Sequence, residues 1–266
     1  MPHVAEDLTS PGLLRACIAV GIVMLVLMEV QACGDPAARR GLTPTVRPAF
    51  LLWQVDLDAP EGPTGTLEAI TPIRMNGREA WRVTHYPTDP AASNVNEFDL
   101  YDVDSETLRP IRSVMQTPEF RLEIAFGSDE ATLRRTTKNG ETLERIPLAS
   151  AVMPEGPGGT VFVASLPLKE GFSRQYSMLD RWDGNGSSRV KSVQLSVKGT
   201  TRMKVLAGTS DVFEVEIRAA DGSFTIVSYV RTEPPYYPWR MLYTRGSKRM
   251  VSEVVAMGVE GVKQGE

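Results

Sequence analysis

An all-β domain, mostly antiparallel and meandering with a minor helical element, follows from three features of the 266-residue sequence. From Ala49 onward apolar residues recur at every second position, the pattern of half-buried strands. Asn76-Gly77, Asn139-Gly140, Asn185-Gly186 and Asp221-Gly222 punctuate these runs and supply the positive φ angles of tight hairpins. No stretch beyond residue 33 keeps a 3.6-residue period through three helical turns.

The chain opens differently. Residues 16–28, ACIAVGIVMLVLM, form an uncharged apolar run behind Arg15. The run is shorter than the roughly 20 residues of a membrane span and suits the apolar region of a signal peptide. Val30 and Ala32 place small or apolar side chains before a cut, and Cys33 stands directly after it. This segment resembles the lipobox of bacterial lipoproteins. The resemblance implies removal of residues 1–32, acylation of the Cys33 sulfur and anchorage through the new N-terminus. Glu6, Asp7, Glu29 and Gln31 depart from that pattern, so an uncleaved anchor and plain secretion stand as alternatives. In the lipoprotein pattern, Gly34 rather than Asp after the cysteine implies passage to the periplasmic face of an outer membrane, where the organism has one. Residues 33–47 then read as the lipidated cysteine and a Pro-, Gly- and Arg-bearing flexible tether.

The single β-rich domain is expected over 48–258, followed by a disordered tail at 259–266. In RLEIAF (121–126), Leu122, Ile124 and Phe126 share one face against Arg121 and Glu123. VQLSV (193–197) and VFEVEI (212–217) alternate in the same way, and further strands are expected at 49–57, 67–71, 81–86, 98–103, 110–116, 201–206, 225–231, 239–244 and 250–256. Pro147, Pro154, Pro157 and Pro167 surround TVFVASL, so residues 160–166 form a short helix or plug in a crossover between halves 48–146 and 168–258. Each half alone is small for a self-sufficient core. The two halves also echo each other: LYDVDSETLRPIRSVMQ (100–116) and SYVRTEPPYYPWRMLYT (228–244) both run strand, acidic turn, proline, arginine, strand.

YDVDSETLRPIRS is similar to a segment of envelope β-proteins related to the outer-membrane lipoprotein-sorting chaperone and receptor. The C-terminal half resembles an uncharacterised bacterial lipoprotein family of that shape, through the step Leu166-Pro167-Leu168 to Gly171 and the stretch VLAGTSDVFEV (205–215). The resemblance implies an antiparallel sheet curled into an incomplete barrel, with an apolar concave face and a plug. In the sorting proteins that face holds acyl chains.

Composition excludes several classes. A net charge of −4 leaves no electrostatic footprint for nucleic acid, and two histidines with two cysteines leave little for a zinc site or a disulfide framework. No catalytic residue, metal or cofactor is expected. His85, the only histidine past the leader, reads as a surface or hydrogen-bonded residue rather than a triad member. Asp102 and Asp104 begin no EF-hand, because Thr107 stands where glycine is needed and Ser113 where glutamate is needed, and they read as solvated turn acids. Tyr236, Tyr237, Trp239 and Tyr243 cluster in EPPYYPWRMLY, where they either fill the core or form a cavity rim or docking patch. The expectation is a non-enzymatic, exported, lipid-anchored envelope protein that binds an acyl chain, lipid or lipoprotein. The alternatives are an envelope scaffold with a filled core and, more distantly, an exported hydrolase using paired carboxylates.

Overall fold

The computed structural model describes residues 46–57, 63–88, 97–148, 152–181 and 189–260. The leader, Cys33, most of the tether, the tail beyond 260, Trp182 and Asn185-Gly186 lie outside the described residues. The chain lays down β1 (Ala49–Asp56), β2 (Thr64–Met75), β3 (Arg78–Pro87), β4 (Phe98–Asp104), β5 (Pro110–Gln116), β6 (Phe120–Phe126), β7 (Glu130–Thr137) and β8 (Gly140–Pro147) as successive neighbours. A short β9 (Val152–Met153) and the helix α1 (Gly158–Ser165) follow. A second meander then runs through β10 (Ser173–Asp180), β11 (Arg189–Val205), β12 (Gly208–Ala219), β13 (Thr225–Arg231), β14 (Pro238–Arg245) and β15 (Lys248–Val259). β15 returns to pair with β1, so both meanders join in one sheet with β8 at one edge and β9 at the other. Every pairing is antiparallel except β9 with β10.

Chain length forces this sheet to curl. Laid flat at ~4.8 Å between neighbours, its outer strands would stand ~65 Å apart. The five-residue step from Pro147 to Val152 spans at most ~18 Å. The edges must therefore approach, yet no ladder joins β8 to β9. The result is the expected incomplete barrel. Apolar side chains pack across the open seam: Met115, Ile124 and Leu133 from one margin meet Val152 and Leu179 from the other.

The plug fills the concave side. Val161 and Ala164 of α1 pack with Trp53, Trp81, Tyr237 and Trp239, while Phe162 and Val163 pack with Leu195, Val215 and Phe224. Gly158, Thr160 and the four residues after it are buried, so α1 is apolar on every side. Its N-terminus comes close to β4: a Cβ on Gly158 would lie 2.7 Å from Pro154 Cβ and 3.0 Å from Tyr101 Cγ.

The expected strands form, most of them longer than the alternating segment alone. The segments 193–197 and 201–206 are one strand, β11, bent by a bulge between Val197 and Gly199. Lys198 is the extra residue, and Gly199 after it adds no side chain at the bend. Asn76 and Gly77 both have positive φ, as a type I′ hairpin requires. β7 and β8 are strands that alternation does not announce, because β8 is exposed at nearly every position and has no buried face to encode. The two echoing segments become matching hairpins. In both, a one-residue bulge follows the proline (Ile111 after Pro110, Trp239 after Pro238), and the arginine two residues on pairs across the strand, Arg112 with Asp102 and Arg240 with Tyr229.

Gly158→Ala should lower stability by about 1–3 kcal/mol, because neither Tyr101 nor Pro154 can retreat. At Gly159 the nearest atom to a Cβ is 3.9 Å away, so Gly159→Ala should be neutral or stabilise by up to ~1 kcal/mol. Denaturant midpoints of the two variants measure the difference, and equal losses would contradict the close packing of the plug.

Candidate functional site

The β4–β5 turn is built on Asp104. Its Oδ1 accepts bonds from the backbone N–H groups of Glu106 (3.1 Å) and Thr107 (2.8 Å) and from the Thr107 hydroxyl (2.9 Å). Burial works against the charged carboxyl, but these bonds outweigh it and hold its pKa below the usual range. Asp102 is wholly buried in a two-bond pair with Arg82, at 2.7 and 3.0 Å. Neither aspartate is the solvated turn acid that the sequence suggested, since Asp102 pairs with Arg82 on the adjacent strand and Asp104 is enclosed by its own turn. The tightened turn leaves Leu108 at φ 58, a left-handed conformation that is costly for a branched side chain. That conformation sends Leu108 against the cluster formed by the C-terminal half.

Between this turn, α1 and strands β9 to β11 opens a cleft of about 670 Å³. Val152, Met153 and Phe162 are buried at its floor, joined by the half-buried Leu108 and Leu166. Thr107, Arg109, Arg174 and Gln175 are exposed at its mouth. The site exists because β9 is only two residues long. It pairs with Ser177 and Met178, and no strand among the described residues covers the β10 edge from Ser173 to Tyr176. Tyr176 spans the two zones. Its ring meets Phe162 edge-on at 5.1 Å, and the Arg174 guanidinium sits 5.4 Å from the ring centre. The Tyr176 hydroxyl is buried without a hydrogen-bond partner, and burial raises its pKa against the opposing pull of Arg174. No carboxylate, histidine or cysteine is among the described lining residues.

Beside the cleft, charge ties the seam. Arg181, just past β10, donates two bonds to Asp99 of β4 (3.0 and 2.9 Å) and one to Ser113 of β5 (3.0 Å), with its guanidinium 4.9 Å from the Tyr101 ring centre. The Arg181 N–H donates to Glu155 at 3.2 Å. Burial pushes the Glu155 carboxyl up to about 7 despite that guanidinium. Asp180 accepts two bonds from Arg245, both at 2.8 Å.

A second buried carboxylate sits beneath the plug. Glu68 has no exposure, accepts a bond from Thr160 of α1 at 3.0 Å and contacts His85 Nε2 across the β2–β3 ladder. His85 is thus a half-buried hydrogen-bonded residue. The aromatic cluster divides. Tyr237 is fully buried, accepting from the Arg47 N–H at 2.9 Å and donating to the Arg47 carbonyl. Trp239 is buried beneath Arg231, Tyr236 packs between two core clusters, and Tyr243 stacks half-buried on Phe224 at 6.2 Å. None of the four lines the cleft. Cleft residues such as Arg174 and Tyr176 had no separate signal in the sequence, because the open β10 edge is a product of topology.

A family model described as a protein of unknown function (DUF3108) matches residues 64–246. The chain belongs to this family. The matched stretch begins with β2 and ends after β14, so the whole cleft lies inside it. No curated protein matches the chain. Among solved structures, the chain is similar to a β-barrel-like DUF1849 protein from Brucella abortus, at 12% identity and TM-score 0.44 over 81% of this chain and 99% of that one. It is also similar to a domain from Vibrio parahaemolyticus named for outer-membrane lipoprotein sorting, at 11% identity and TM-score 0.34 over 90% and 93%. A third, from Parabacteroides distasonis and named as a lipoprotein, aligns at 10% identity and TM-score 0.29 over 81% and 97%.

The folded chain holds the Glu155 proton up to about pH 7, whereas an unfolded glutamate releases it near 4.3. Within that window the folded state binds more protons. This contribution to stability is complete below the lower value and is lost as pH rises through the upper one. Thermal midpoints of the wild type should therefore carry a component that falls between pH 5 and 8. Glu155→Gln should remove that component, and an unchanged pH profile in the variant would contradict the assignment.

Proposed function

We propose that this is an exported, non-enzymatic protein of the cell envelope, anchored through an acylated Cys33, that holds an apolar ligand in the cleft beside its plug helix. The observation carrying this reading is the cleft itself. Its volume of about 670 Å³ falls within the ~300–1,000 Å³ of small-molecule sites. Its floor is buried and apolar, and its mouth is polar. The rest of the concave side is taken up by α1 and the three apolar clusters, which leaves the seam as the place for an acyl chain, lipid or lipoprotein segment. The described lining residues include none of the carboxylates, histidine and cysteine on which hydrolytic acid–base and nucleophilic chemistry most often rests. A scaffold role draws support from the same filled interior, combined with the β7–β8 hairpin and its exposed Leu143.

Ser177→Trp places an indole in the cleft. The folded variant should lose binding of a dansyl-labelled fatty acid by about tenfold or more, a loss of at least ~1.4 kcal/mol. Tyr86→Ser, at an exposed aromatic away from the cleft, should bind as the wild type does. Equal binding by all three proteins would favour the scaffold. For the anchor, Cys33→Ser should abolish incorporation of labelled fatty acid in cells. Retained labelling would refute acylation at that residue.

A further inference from the structure

We infer that the cleft takes a single-chain amphiphile with an anionic headgroup, a carboxylate or phosphate held by Arg109 and Arg174, with its tail on the apolar floor. The inference rests on the ligand-binding reading above and adds the charge of the ligand.

The described lining residues carry two guanidinium groups and no carboxylate. Several arginines elsewhere in this protein are neutralised by carboxylates, among them Arg74 by Glu79, Arg82 by Asp102, Arg181 by Asp99 and Arg245 by Asp180. Among the described residues Arg109 and Arg174 have no such ion pair. Arg109 follows the Asp104-based turn directly, so its backbone is fixed by the same network that directs Leu108 inward. Arg174 is steadied over the Tyr176 ring. The mouth thus carries two cations, Arg109 on an ordered backbone and Arg174 against an aromatic ring, and a guanidinium offers paired donors that match either carboxylate or phosphate oxygens. The buried Tyr176 hydroxyl, beside Arg174, adds a donor at the boundary between the charged mouth and the Phe162 floor. A purely apolar ligand would leave all three groups unused. A free anion would leave the half-buried Leu108 and Leu166 in contact with water.

Displacement of a fluorescent, uncharged acyl ester from the full folded protein tests this. The competitors are myristate, myristoyl lysophosphatidate, uncharged monomyristin and inorganic phosphate. Myristate or the lysophosphatidate should displace the probe at least about tenfold better than monomyristin, which is the strength of one charged hydrogen bond. Their ranking distinguishes a carboxylate from a phosphate headgroup. Arg109→Gln combined with Arg174→Gln should erase the preference, so that the charged competitors displace the probe no better than monomyristin does. Equal displacement by charged and uncharged competitors would overturn the headgroup assignment while the cleft kept its ligand. Displacement by inorganic phosphate as effective as by the amphiphiles would replace the amphiphile with a bare anion. Failure of the probe itself to bind would remove the underlying reading along with this one.

Discussion

The five-residue step between Pro147 and Val152 is the constraint from which the rest of this structure follows. One sheet holds all fifteen described strands, and its two outer strands are joined by a piece of chain far shorter than the width of the flat sheet. The sheet must curl until its edges meet. Because the chain then needs α1 to reach β10, the helix is carried into the concavity that the curl creates. A plug that is apolar on every side can be buried only in such a place, and Thr160, its one buried hydroxyl, is satisfied by Glu68. The closure stays incomplete because β9 is too short to cover β10 and β8 does not pair with it. The proposed ligand site lies at this gap, which the same economy of chain makes.

Charge inside the fold follows the seam. Arg181 joins the outer part of the C-terminal meander to β4 and β5 of the N-terminal one, and it does so with donors matched to Asp99 and Ser113. Buried ion pairs of this kind add little net stability compared with apolar packing, but breaking one leaves an uncompensated charge. They therefore specify where the margins meet more than they strengthen the contact. Glu155, held near the edge of its proton affinity, makes that meeting sensitive to pH in the neutral range.

Much of this was legible in the sequence, for identifiable reasons. Strands with one buried face, such as the one containing Leu122, Ile124 and Phe126, write that face into every second residue. Asn76-Gly77 writes its turn because few other pairs tolerate two positive φ angles. The proline-flanked TVFVASL could be recognised as a plug because it is apolar without alternation, and it became α1. The echo between 100–116 and 228–244 proved to be a shared hairpin, bulge included. What remained hidden depended on contacts distant in sequence. β8 has no buried face to encode, and Asp102 looked like a surface acid because nothing local reveals Arg82, its partner on the adjacent strand. Glu68 belongs to the same class: only the plug, ninety-two positions away at Thr160, explains a carboxylate in the core. The cleft was invisible for a related reason, since Arg109 and Arg174 come together only when the sheet curls.

The most direct test of the whole account is native mass spectrometry of the protein purified gently from its own envelope, with lipid extraction of the same sample. A seam cleft that serves as a ligand site predicts one defined co-purifying mass in the fatty-acid or lysolipid range, released on activation to leave the bare chain. A bare protein mass that persists after incubation with envelope lipids would contradict it and leave the curled sheet as a filled scaffold.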